Sequence, residues 1–188
     1  MSIALLHSRA TRGIQAVPVR VEVHLAPGLP GFTIVGLADT AVRESKDRVR
    51  SALVNSGFEL PQRRITVNLA PADLPKDGGR FDLPIALGIL AASGQLGKVR
   101  LDGREYIGEL ALSGGLHPVP AVLPAALAAA EQGHALVVPR ENGDEAALAG
   151  ADTLAVDSLT ALCAHLKGHQ PLPPHPAPPA SHEDADGP

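Results

Sequence analysis

The sequence predicts a mixed α/β domain, in which helices and strands alternate around an aliphatic core. Three observations predict it. "QAVPVRVEVHL" puts Val17, Val19, Val21, Val23 and Leu25 on one face of an extended chain. Pro18, Arg20, Glu22 and His24 share the other face, which is the period-two pattern of a half-buried strand. Next, "TAVRESKDRVRSALVN" returns Val42, Val49 and Leu53 on one helical face. Finally, the last part of the chain reads helix–strand–helix–strand–helix, the order of a parallel, helix-covered sheet. The 188 residues are 45% apolar and 19% charged, enough for one domain with a real core. With three Phe, one Tyr and no Trp, that core must be built from Val, Leu, Ile and Ala.

In chain order, Pro18 places the first strand at a sheet edge or marks its start. "FTIVG" is a second strand ending at Gly36. A helix then runs from about Thr40 to Asn55, capped by Asp39 and ended by a left-handed Gly57. Glu44–Arg48 and Arg43–Asp47 are spaced as i,i+4 pairs on it. "RRITVNL" is a strand with Ile65, Val67 and Leu69 inward. After the loop "APADLPKDGGRF", Asp82 can cap a helix with Pro84 in its first turn, reaching Ser93. "REYIGELAL" is a strand, "SGG" a turn and "LHPVPAV" a short extended piece. "LPAALAAAEQG", "NGDEAALAG" and "DSLTALCAHLKG" are helices, and "HALVVP" and "ADTLAV" the strands between them. Residues 1–168 make this domain. From His169 the periodicity stops, and 7 of the 18 prolines follow. Residues 169–188 are expected to be a disordered, partly polyproline linker, which implies that the chain is the front part of something longer.

Composition excludes several function classes. No apolar run nears the roughly 20 residues of a membrane span. The N-terminus lacks the basic region and cleavage site of an export signal. Cys163 is the single cysteine, so no intramolecular disulfide forms. Together these point to the cytoplasm. The net charge of −4 hides an asymmetry. Residues 1–80 hold eleven Lys and Arg against seven Asp and Glu, a net +4; the remainder holds five against thirteen, a net −8. A basic front half fits nucleic acid or an acidic neighbour, and it fits internal ion pairing as well.

Candidate chemistry narrows quickly. "LPKDGGRFD" has its lysine ahead of the glycines and no hydroxyl after them, so it is not a phosphate-cradling loop. His165, His169, His175 and His182 crowd the tail without a cysteine partner or a scaffold; they read as linker histidines, and no metal is expected. Cys163, in "LTALCAHL", reads as a small core residue rather than a nucleophile. Basic residues remain. Arg43, Lys46 and Arg50 recur along one helix, Arg63 and Arg64 open a strand, and Lys76 and Arg80 lie in the glycine loop. If they converge they make a phosphate-backbone or subunit-contact face. Otherwise Glu44, Asp47, Asp73 and Asp77 neutralise a solvated surface.

The stretch "GLPGFTIVGLADTAVRESKDRVRSALVNSGFELPQRRITVNLAPADLPKDGGRFDLPIAL" resembles the N-terminal, Lon-protease-like domain of the ComM/YifB family of magnesium-chelatase-like AAA+ proteins. The likeness runs from "SIALLHSRA" to about Lys167. It implies a ribosomal-protein-S5-domain-2-like α+β fold on the frame of the Lon proteolytic domain. In Lon the loop reads Pro-Lys-Asp-Gly-Pro-Ser-Ala-Gly, with serine as nucleophile. Here Arg80 stands at the serine position, and Leu123 falls near that of the partner lysine. A Ser–Lys dyad needs a hydroxyl and an amine to deprotonate it, and both are replaced. The resemblance therefore implies a non-catalytic domain of a homohexameric DNA helicase that promotes branch migration in recombination and natural transformation. It implies non-specific DNA and further copies of the chain as partners. ATP and magnesium would serve an AAA+ motor that these residues do not contain, and the domain itself takes no cofactor. The alternative is a peptidase of altered mechanism that uses Ser113 or Ser45. Metal chelation into porphyrin, the third reading, has no matching residues.

Overall fold

In the computed structural model, residues 2–177 are described. The domain is built on two sheets with a helix at its centre. Strands β1 (Ser2–Arg12) and β2 (Gln15–Ala26) form a long antiparallel hairpin. Gly13, with φ +62, provides its turn. β3 (Gly31–Val35) and β4 (Arg64–Ala70) complete a four-stranded sheet in the order β1-β2-β4-β3. β2–β4 is antiparallel and β3–β4 parallel. Val19, Val21, Val23 and Leu25 are buried, as their alternation requires. So are Ile65, Val67 and Leu69.

β2 is nevertheless not an edge strand. Pro18 escapes the ladder conflict because β4 reaches β2 only from Arg20 onward, so Pro18 lies near the strand's start, paired on one side alone. β1 was not legible as a strand. Ile3, Leu5 and Leu6 break a clean alternation, because β1 leaves its outer apolar residues in solvent.

Two short helices, α1 (Thr40–Arg43) and α2 (Ser45–Asn55), replace the single helix expected over 40–55. Asp39 caps the first, accepting from the Val42 N–H at 2.8 Å. The break at Glu44 turns Arg48 inward to Asp82 and leaves Asp47 nearest Arg50, at 3.8 Å. The expected i,i+4 pairs are thereby replaced. Gly57, at φ +85, ends α2.

α3 (Asp82–Ala92) is the centre of the fold. Ten of its eleven residues are buried, so it has no solvent face to show a helical stripe. It lies across β1 and β2. Gly88 permits that approach, since a Cβ there would strike Val23 and Leu6. Burying each such Leu, Ile or Phe side chain contributes roughly 1.5–3 kcal/mol.

The second half supplies a three-stranded parallel sheet in the order β5-β8-β9: β5 (Arg104–Tyr106), β8 (Ala135–Pro139) and β9 (Thr153–Val156). The expected single strand through "REYIGELAL" divides. β5 joins this sheet, while β6 (Glu109–Leu110) pairs with β7 (Leu116–His117) in a separate ribbon. Helices α4 (Val122–Glu131), α5 (Gly143–Ala147) and α6 (Leu159–Leu166) connect and cover the strands. Among the described residues, no helix is long and apolar enough to cross a membrane.

The linker expected over 169–188 falls partly outside the described residues, His182 included. Within them, the chain beyond α6 keeps contacts with the domain. The Leu172 N–H donates to His165 Nδ1 at 2.8 Å. The His175 N–H donates to the Thr153 carbonyl at 2.7 Å, and its ring pairs with Asp144 at 2.7 Å. Cutting the chain after residue 168 removes these bonds along with the packing of Leu172 on the core. We expect the shortened chain to melt several degrees lower in a calorimetric scan, at roughly 2–4 °C per kcal/mol lost for a domain of this size. An unchanged midpoint would mean that the segment adds no stability.

Candidate functional site

The loop between β4 and α3 carries the residues that the sequence singled out. It is pinned at both ends. At its start, the N–H of Lys76 donates to the Leu37 carbonyl at 3.1 Å, and the Asp39 N–H donates to the Lys76 carbonyl at 3.0 Å. The Lys76 side chain then turns inward. It is 1% exposed, and its ammonium donates to the backbone carbonyls of Gly36 (2.7 Å) and Pro71. Burial lowers its pKa, and Asp73 partly offsets that. Lys76 thus stitches two loops together and offers no charge to the surface.

At its far end the loop enters α3 through Asp82. This residue is not the expected N-cap; Phe81 holds that position, and no side chain caps the helix. Asp82 is 0% exposed and points into the protein. It accepts from Ser45 Oγ at 2.5 Å, from Arg48 Nε at 2.6 Å and Nη2 at 3.1 Å, and from the Leu110 N–H at 3.0 Å. The Asp82 hydrogen bond raises the Arg48 pKa despite partial desolvation. Ser45 is therefore a buried donor to a carboxylate, with no open face for a substrate. Ser113, the other candidate hydroxyl, accepts from the Gly115 N–H at 3.3 Å within the turn before β7.

Between these anchors Gly78, Gly79 and Arg80 wall a cavity of about 150 Å³. Glu109, Pro120 and Ala121 close it from the far side. Gly79 packs directly against the Glu109 side chain, which would have to swing aside for a Cβ there. Arg80 is 4% exposed. Its Nη1 donates to the Pro120 carbonyl at 3.2 Å, while Nε and Nη2 have no partner. Desolvation lowers its pKa, and Asp77 and Glu145 oppose the shift. Leu123 is the second residue of α4, 37% exposed, its N–H donating to Glu145 Oε2 at 3.0 Å.

The predicted basic set thus divides. Arg43, Arg50, Arg63 and Arg64 are exposed, and Lys46 is half-buried. Arg50 and Arg63 share one shallow cleft, and the Arg50 guanidinium lies 5.5 Å from the Phe32 ring centre. Lys76 and Arg80 are buried and do not join that surface.

Comparison with known proteins follows the same frame. Residues 21–142 match the family model described as subunit ChlI of Mg-chelatase. The chain belongs to this family. It is 51% identical over 173 residues to YifB of Escherichia coli and 52% identical over 174 residues to the competence protein ComM of Haemophilus influenzae. Each match covers 92% of this chain and 34% of the relative. A Mycobacterium bovis protein, Mb2921c, is 42% identical over 170 residues, 89% of this chain and 34% of its own. The chain spans about a third of the length of these curated relatives. In this ChlI-type domain, Glu109 and Ala121 belong to the cavity although sequence reasoning did not single them out. Neither lies in a motif, and only the ribbon β6–β7 and the entry to α4 bring them beside the glycine loop.

Two measurements test this geometry. Asp82→Ala leaves Ser45 and Arg48 without their acceptor. Loss of one partner of a buried pair costs about 3–5 kcal/mol; urea unfolding should show a drop of that order, and a loss below about 1 kcal/mol would overturn the clamp. Cys163 is buried, and desolvation pushes its pKa from 9.0 to about 12. Above pH 9 the unfolded thiol loses its proton while the folded one keeps it, so this group removes stability as pH rises from 9 toward 12. Stability should fall less steeply over that range in Cys163→Ala than in the parent, and the native thiol should resist alkylation until the protein unfolds.

Proposed function

We propose that this chain acts as a non-catalytic N-terminal domain of a ComM-like hexameric AAA+ DNA motor, on an S5-domain-2-like frame related to the Lon proteolytic domain. One observation carries the reading: Arg80, which the resemblance aligns with the serine of the peptidase loop, is buried beside the cavity. Neither Ser45, buried against Asp82, nor Ser113, held in a turn, lines the cavity, which counts against the peptidase alternative. The similarity to a protein named for competence supports a role in DNA uptake and recombination, with branch migration as the motor's work. ATP and magnesium would serve the motor, and no residue described above is assigned to them. Such a protein works in the cytoplasm, where incoming DNA is processed.

Within that assembly the domain contributes subunit packing and DNA contact through Arg43, Lys46, Arg50, Arg63 and Arg64. These side chains act by charge, releasing counterions from phosphates without reading bases. Few aromatics are present for stacking on bases, so a preference for single strands is not expected of the domain. Fluorescence anisotropy on a labelled branched duplex tests the contact. The isolated domain should bind with a dissociation constant of about 10⁻⁴–10⁻⁶ M or weaker, declining as salt rises and indifferent to sequence. Arg63→Glu/Arg64→Glu, at exposed positions, should remove most of that binding and keep the circular dichroism spectrum. Absence of binding at low salt, or a double variant that binds as well as the parent, would leave subunit contact as the role of this face.

A further inference from the structure

The solvent side of α4 is apolar, where a surface helix is ordinarily polar. Its ten residues, VLPAALAAAE, hold one polar side chain, Glu131, in the last position. Val122, Ala125, Ala126 and Ala129 are buried, which leaves Leu123 and Leu127, 37% and 49% exposed, one turn apart in solvent. α5 packs against this helix and runs into Leu148, 67% exposed. Acids border the leucines. Glu131 follows Leu127 by one turn, Asp144 precedes Leu148 by one turn, and Glu145 accepts from the Leu123 N–H at 3.0 Å. An exposed apolar patch with a charged border marks a contact with another protein surface.

A second surface has the same design and the opposite sign. The cleft shared by Arg50 and Arg63 has exposed Pro30 and half-buried Leu60 and Pro61 in its walls, and Leu29, 83% exposed, precedes Pro30. Its volume, about 130 Å³, equals that of about four waters at roughly 30 Å³ each, which suits the four carbons of one leucine side chain. α4 lies against β1 and β2, whereas this cleft lies against β3, at the far edge of the sheet from β1. Both are fixed parts of the fold, so the ridge of one molecule does not reach its own cleft.

We propose that the leucine ridge of α4 docks into the Arg50–Arg63 cleft of a second copy of this chain, head to tail. The inference rests on the subunit-packing part of the proposed function and names the two faces that make the contact. Charge complementarity selects the partner. Glu131 and Asp144 meet the arginines while Leu127 enters between the apolar walls. A nucleic-acid strand satisfies the arginines and gives the leucines no apolar seat; a second copy does both. Because the two faces differ, each added copy leaves one ridge and one cleft free, and the series ends only by closing into a ring.

Sedimentation velocity on the full chain at low salt tests the pairing. Leu123→Gln/Leu127→Gln removes the ridge, and Arg50→Glu/Arg63→Glu reverses the cleft; all four positions are exposed. The contact is small, so the parent should form species larger than a dimer only toward about 1 mM, and added salt should weaken them. Each variant alone should stay monomeric. Mixed in equal amounts, the two should form a dimer and nothing larger, since one keeps the cleft and the other the ridge. A mixture that stays monomeric overturns the proposal. So do variants that associate as the parent does, an outcome that keeps subunit packing and rejects these two faces. A parent that is monomeric at every concentration rejects both. Should the double glutamine variant lose its circular dichroism spectrum, Leu127→Gln alone takes its place. That variant keeps every basic residue, so its anisotropy on the labelled duplex should equal the parent's, which separates the contact between copies from the contact with DNA.

Discussion

A fully buried carboxylate holds this domain together. Asp82 joins three elements that are distant in sequence: α2 through Ser45 and Arg48, α3 through its own backbone, and β6 through the Leu110 N–H. An isolated carboxylate in that position would be prohibitively costly. It is tolerated because both its oxygens are occupied by charged or oriented donors. The consequence reaches further than the pair. α3 is the central helix, and its first turn is the end of the glycine loop. Fixing Asp82 therefore fixes where Gly79 and Arg80 stand relative to Glu109, one residue from Leu110. Loop, cavity and core share one anchor.

A second polar joint works on the other side of the molecule. Arg9, on β1, meets Glu105, on β5, at 2.6 Å, and His134 approaches the same carboxylate at 2.8 Å. It links the antiparallel sheet to the parallel one, where apolar packing alone would leave the relative placement underdetermined. Hydrophobic burial supplies most of the stabilisation, yet it is non-directional. The directional bonds of Asp82 and Glu105 set which way the layers face.

The sequence made part of this legible. The alternation of Val17 to Leu25 and the inward Ile65, Val67 and Leu69 described real strands, because each sheet face has a distinct environment. Asp39 and Gly57 marked helix ends through local chemistry, which needs no tertiary knowledge. What escaped depended on distant partners. Asp82 has the residue type and spacing of a cap, but a serine hydroxyl and an arginine from another helix outcompete the local N–H groups. Arg48 looked like half of a surface pair with Glu44 for the same reason. "REYIGELAL" reads as one strand because the divergence at Ile107 and Gly108 comes from two different sheets competing for its ends. In the candidate site, the glycine loop and Arg80 were visible as an oddity of composition. The burial of Lys76 was not, since its acceptors are backbone carbonyls at Gly36 and Pro71, which no side-chain pattern reveals.

The glycine loop has some of the features of a nucleophile loop and lacks one. A nucleophile loop needs a tight turn, close backbone approach and a small reactive group facing a cavity. The first two are present: Gly78 is left-handed, at φ +77, and Gly79 packs against the Glu109 side chain. In place of the third stands Arg80, a long cationic side chain. A serine there would present one hydroxyl and need a neighbouring amine to activate it. An arginine needs no activation, stays charged at any physiological pH, and presents donors in a fixed plane. Such a side chain is suited to holding oxygen atoms still rather than to attacking a carbonyl. Lys76 holds the other side of the loop: its ammonium donates to the backbone carbonyls of Gly36 and Pro71 and fixes the loop's entry. Both side chains are drawn into the loop's own packing, so each end of the loop is held by a cation on a backbone carbonyl and the loop is rigid between its anchors.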